Sequence, residues 1–209
     1  MITLKLIGTD KQIANDIHKG IATAINKLVS KNRAKIEGRL RRSVRFWISS
    51  SPAMQSLTQR GVPQSLHSQF GLRRSGNGAV EAIVDSIVAS LQIKIPKIDK
   101  RLRGTIEFSF QPSNFSNLLG LEEGHQITEK GTDLHWLDWL LTKGDSVIVI
   151  GYRYTTDDRG RSGLGTMKKG GSFRVNPTYS GTPSNNFITK ALNIREKEVV
   201  KILGDILNG

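Results

Sequence analysis

Apolar residues recur every three or four positions through Ile13, Ile17, Ile21, Ile25, Leu28, Ile36, Leu40 and Val44, with one lapse at Asn32. Such spacing puts a stripe along one side of an α-helix. Thr9 or Asp10 stands where a cap belongs, and Ser49, Ser50, Ser51 and Pro52 mark the stop. A helix of ~35–40 residues would be ~50–60 Å long at 1.5 Å per residue, longer than a small domain is wide. The segment is expected to project or to pack on another subunit, with a bend at Gly20 or Gly38.

The rest of the 209-residue chain reads as shorter pieces. Ile2, Leu4 and Leu6 alternate as a terminal strand. Residues 53–78 suggest short helical turns, and Val80, Ile83, Val84, Ile87, Val88 and Leu91 make a second amphipathic helix. Strands are expected around Ile93 and Ile95, from Thr105 to Phe110, and most strongly over 147–154. A short helix is expected over 133–142. Residues 155–172 are glycine-rich and read as a long flexible excursion, with 173–175 returning antiparallel. Ser184 is expected to cap a last helix. This order implies one α+β domain over 1–209, with a long N-terminal helix, a small mostly antiparallel sheet carrying a Gly-rich hairpin arm, and a C-terminal helix packed on the sheet.

The formal net charge is +13. Residues 1–103 hold 19 Lys and Arg against 6 Asp and Glu, and residues 104–209 hold 12 against 12. The chain thus joins a basic helical part to a neutral sheet-and-helix part. Lys27, Lys31, Arg33, Lys35, Arg39, Arg41, Arg42 and Arg45 face only Glu37 within their stretch. That imbalance points to an external anion, either DNA phosphates or an acidic partner. No base-reading motif accompanies them, so contact with passing DNA would be independent of sequence. The chain has no Cys, which removes disulfides and thiol chemistry. Neither a membrane span nor secretion is expected.

Catalytic patterns are incomplete. Gly165 to Ser172 approaches a phosphate-binding loop, but Gly171 replaces the required lysine, and the segment joins strand to strand. Leu164 stands where a nucleophile elbow after Ser162 needs glycine. Glu122, Glu123, His125, Asp133, His135 and Asp138 could together serve a metal-dependent nuclease. Their spacing fits no recognised ligand motif, and Asp133 sits where a helix cap belongs. Trp136 and Trp139, three apart, read as core or interface packing. No catalytic residue, metal or cofactor is expected.

The C-terminal third carries a resemblance. The strand VIVIGYRY, the loop GRSGLGTMKKGG, the strand FRV, the turn NPTYSGTPSNNF and the helix ITKALNIREKEVVKIL resemble the neck, or tail-completion, proteins of long-tailed bacteriophages. Val175, Pro177, Ser180, Gly181, Thr182, Asn186, Phe187, Ile188 and Ala191 carry the pattern, and residues 56–72 are similar to a family segment linking the N-terminal helix to the sheet. The resemblance implies a virion structural protein without an active site, made in the host cytoplasm and assembled in the neck as a homo-oligomeric ring of six or twelve. Its neighbours would be the portal adaptor or head connector on one side and the tail tube, tail terminator or sheath on the other. The hairpin, through Arg159, Arg161, Met167, Lys168 and Lys169, would be a docking arm that orders on assembly.

Overall fold

The computed structural model describes residues 8–72, 76–128, 131–160 and 162–208. The expected strand at Ile2–Leu6 and the arm residue Arg161 lie outside the described residues.

The long helix forms as two consecutive pieces, α1 (Asp10–Lys31) and α2 (Arg33–Ser49). Thr9 caps α1 in a reciprocal box with Gln12: its hydroxyl accepts from the Gln12 N–H, and its own N–H donates to the Gln12 side chain. The break falls at Asn32, not at Gly20 or Gly38. Both the backbone N–H and the side-chain amide of Asn32 donate to the Leu28 carbonyl at 3.0 Å. An asparagine amide that takes a helical carbonyl competes with the backbone ladder. The Ile36 N–H still donates to the Asn32 carbonyl at 2.9 Å, so the two pieces remain hydrogen-bonded end to end.

α2 is the axis of the core. Ile36, Leu40, Val44, Trp47 and Ile48 are buried, each contributing ~1.5–3 kcal/mol of burial. They meet α3 (Pro52–Thr58), α5 (Gly76–Ser90), α8 (Phe187–Leu192) and α9 (Glu196–Leu207). Between α3 and α5 lies α4 (Leu66–Gln69), capped by Ser65. α5 runs straight into β1 (Leu91–Lys94), which pairs antiparallel with β2 (Glu107–Phe110). After α6 (Ser116–Leu119) and a single tight turn at Glu122–Gly124 comes a small ribbon of β3 (Gln126–Ile127) and β4 (Asp133–Leu134), and then α7 (Leu137–Leu141). β5 (Val147–Thr155) and β6 (Thr166–Arg174) form the long hairpin.

The class is α+β, with its strands in three antiparallel two-stranded ribbons. The C-terminal helices α8 and α9 rest mainly on α2, so a helix takes the supporting place expected of a sheet. Three local expectations change. Asp133 lies in a strand and caps no helix; α7 begins at Leu137. The last helix is divided at residues 193–195, and its cap is Asn186 in place of Ser184. Buried Asn186 accepts from the Ile188 and Thr189 N–H groups at 3.0 and 3.2 Å and donates to the Thr182 carbonyl at 3.0 Å. Asparagine satisfies both sides of that turn, which a serine hydroxyl cannot. Finally, the second part of the glycine-rich excursion, from Thr166 onward, is paired strand.

Among the described residues no helix is long and apolar enough to cross a membrane.

Candidate functional site

The eight basic residues of the long helix do not act alike. Arg33 pairs with Glu37 at 2.8 Å, Arg39 with Asp205 of α9 at 3.4 Å, and Arg45 with Asp85 of α5. Arg41 is half-buried and donates to the Val88 carbonyl at 2.7 Å. The acids missing from the local stretch thus arrive from other helices. Lys27, Lys31, Lys35 and Arg42 are exposed and make no ion pair among the described residues. Lys27 and Lys31 lie four apart on α1, and Lys35 and Arg42 lie seven apart on α2, so each pair shares one side of its own helix. The cationic stripe is half as populated as expected, and it is exposed.

α1 also exposes apolar side chains. Ile17 is 56% exposed, Ile21 41% and Leu28 44%, and Ala22 is the one residue of α1 that is fully buried. At the base of α1, Asn26 holds the 95–106 segment through two bonds to the Ile98 backbone, at 3.0 and 2.8 Å. An open groove of about 520 Å³ lies there, walled by Ile25, Val29, Ile98, Phe108, Val199 and Leu203.

The hairpin arm is bent and anchored. Gly151, Gly170 and Gly171 have φ of +82°, +102° and +80° at a register shift between Ile150 and Tyr152, a backbone conformation that favours glycine. The bend carries Tyr154 back to Phe173, with ring centroids 6.3 Å apart. Ser68 then holds the far end, its Oγ 2.8 Å from the Tyr154 hydroxyl and its carbonyl accepting from Ser162 at 3.3 Å. Arg159 grips Asp157 with two bonds, at 2.9 and 2.7 Å, and Lys168 adds a third charge contact at 3.4 Å. Those bonds from Arg159 hold the Asp157 carboxyl far below the usual range. Two of the expected docking cations are therefore internal partners. Met167 is half-buried opposite Tyr154, and Lys169 is exposed opposite Tyr152. The outermost apolar group of the hairpin is Ile150, 84% exposed, which sequence reasoning did not single out.

The motif residues 175–187 are structural. Val175 and Phe187 are buried. The Gly181 N–H donates to the Trp139 carbonyl at 2.9 Å, and the Gly181 carbonyl accepts from Gly144 at 2.8 Å. A Cβ at Gly181 would lie 2.1 Å from the Leu140 carbonyl oxygen, so only glycine fits. Thr182 bridges to Asn185, Ser180 is half-buried and Pro177 is exposed. Trp136 is buried against Phe70, with ring centroids 5.2 Å apart. Trp139 is half-buried and donates to Ser146 at 3.1 Å.

Of the acidic and histidine cluster, three members converge. Asp133 accepts on one oxygen at 2.7 Å from His125 Nδ1 and on the other at 3.1 Å from His135 Nε2, and the two imidazoles stack 4.8 Å apart. Glu122, Glu123 and Asp138 are not in this group.

No known protein family, curated protein or solved structure matches the chain.

Proposed function

We propose that this chain is a structural subunit of the head-to-tail junction of a long-tailed bacteriophage, acting as a copy in a ring around the DNA channel. The observation that carries the reading is α1: a helix of 22 residues that exposes Ile17, Ile21 and Leu28 and buries only Ala22. An apolar face left open by the described residues is a surface for a neighbour. Ring contacts are heterologous, joining unlike surfaces of successive copies. The groove beside Asn26 and the projecting helix supply two unlike apolar surfaces. The residue pattern from Val175 to Phe187 supports the same reading. Lys27, Lys31, Lys35 and Arg42 then offer a positive stripe to passing DNA or to an acidic neighbour such as the head connector.

The test is assembly. Wild-type protein mixed with its head connector or tail tube is expected to form rings by light scattering and negative-stain microscopy. The double variant Ile17→Glu, Ile21→Glu is expected to keep the circular dichroism of the monomer and to lose the rings. Rings that persist in that variant would refute the role of α1.

The unpaired stripe favours a second reading, a sequence-independent DNA-binding protein that works alone. It requires the isolated chain to bind DNA with a steep salt dependence, and replacement of Lys27, Lys31, Lys35 and Arg42 by Ala to flatten that slope by up to ~4 phosphate contacts. Arg39 and Arg41 are poorer targets, because their partners lie inside the protein.

A further inference from the structure

We propose that His125, Asp133 and His135 form a divalent transition-metal site that clips the β3–β4 ribbon. This rests on neither functional reading above.

The site follows from register. Gln126 pairs with Leu134 and Ile127 with Asp133. One step further along the same ladder, His125 stands opposite His135. Side chains alternate between faces of a ribbon, so residues 125, 133 and 135 share one face. The ligating atoms, one from each residue, all lie within 4.8 Å of one another. Zinc bonds of ~2.0–2.2 Å place tetrahedral ligands ~3.3 Å apart. The His–Asp contacts, 2.7 Å to one carboxylate oxygen and 3.1 Å to the other, are both somewhat shorter than that spacing. The His125, Asp133 and His135 side chains are 27, 38 and 49% exposed, so small rotations can bring the imidazole nitrogens together, with water completing the shell.

The local sequence favours a cation. The described residues between 121 and 145 include five acids (Glu122, Glu123, Asp133, Asp138 and Asp145) against Lys143, an acidic stretch in a chain of net charge +13. The donor set selects the metal: two imidazoles and one carboxylate suit Zn²⁺, Ni²⁺ or Cu²⁺, whereas Mg²⁺ and Ca²⁺ require oxygen-rich shells. A ribbon of two residues per strand is marginal by itself. A metal held by one ligand before β3 and two on or after β4 would tie its open end, the end that leads into buried Trp136.

The experiment is calorimetric titration of the full, untagged chain with Zn²⁺ near neutral pH. One saturable site is expected, with Mg²⁺ producing none. H125A, D133N and H135A are each expected to weaken zinc by at least ~10-fold, since loss of outer-shell partners alone costs 10–100-fold. H18A, on exposed α1, is expected to change nothing. Zinc should also shift the ring resonances of His125 and His135 in the wild-type protein and leave those of His18 and His67 in place, a readout that needs no variant to fold. Zinc that fails to saturate below ~1 mM, perturbs His18 alone, or binds H125A and H135A as it binds wild type would overturn the proposal; structural Zn²⁺ sites bind far more tightly than that limit.

Discussion

α1 and α2 share one apolar row interrupted at Asn32, yet its two halves have opposite fates. In α2, Ile36, Leu40 and Val44 are fully buried; in α1, Ile17, Ile21 and Leu28 are 41–56% exposed. Part of the reason is geometric. The helix breaks at Asn32, whose side-chain amide takes the Leu28 carbonyl, so the two halves are separate helices and do not have to turn the same side to the core. The rest is tertiary: α3, α5, α8 and α9 surround α2, while α1 extends past them with Asn26 as its tie to the 95–106 segment. Periodicity marks a helix with an apolar side. It does not say whether that side meets its own chain or a second one.

The comparison can be broken by mutation. The largest effect is expected from Leu40→Ala, a loss of ~2–5 kcal/mol in chemical denaturation as a filled core position becomes a cavity. If Ile21→Ala costs as much, α1 is part of the same core and the distinction fails. Asn32→Leu probes the junction between the two pieces. Removing the side chain that competes for the Leu28 carbonyl, and adding a better helix former, is expected to stabilise by ~0.5 kcal/mol and to raise the helical signal in circular dichroism. Ile17→Ser is expected to leave monomer stability within ~0.5 kcal/mol of wild type, measured in the same denaturation series.

The smallest effect concerns the anchor of α2. The Trp47 indole N–H donates to Glu198 at 2.6 Å, and Arg195 lies over the Trp47 ring while bonding the same carboxylate at 2.5 Å. Arg195 foremost, with Trp47, holds the Glu198 carboxyl below its ordinary value. A folded pKa below the unfolded one contributes stability above the ordinary glutamate range, ~4.3, and loses it as pH falls through the folded value. The advantage of wild type over Glu198→Gln should therefore be present at neutral pH and fade under acid, as followed by urea denaturation at a series of pH values. An advantage independent of pH would mean that packing, not the carboxylate, holds Trp47.

Charge teaches the same lesson as hydrophobicity. Counting acids within the stretch that holds the eight cations finds Glu37 alone, but Asp85 and Asp205 come from helices 40 and 166 positions away. Local imbalance therefore overstated the free positive charge and left Lys27, Lys31, Lys35 and Arg42. The hairpin repeats the pattern: Arg159 and Lys168 look available in sequence and converge on Asp157 in the fold. The histidine ribbon errs in the other direction. Reading Asp133 as a helix cap hides the pairing register that brings the three side chains together.

The sequence by itself determined what depends on near neighbours along the chain: the helical row and a cap at Thr9 or Asp10, the second amphipathic helix, the strong strand at 147–154, and the α+β order of elements. Those follow from side-chain period, capping chemistry and glycine or proline stops. Tertiary structure alone decided which half of the long helix is core, which cations remain unpaired, that Ser68 holds the far end of the hairpin, and that two histidines flank one aspartate. Each of these depends on groups distant in sequence meeting in space, and no local period or composition encodes that meeting.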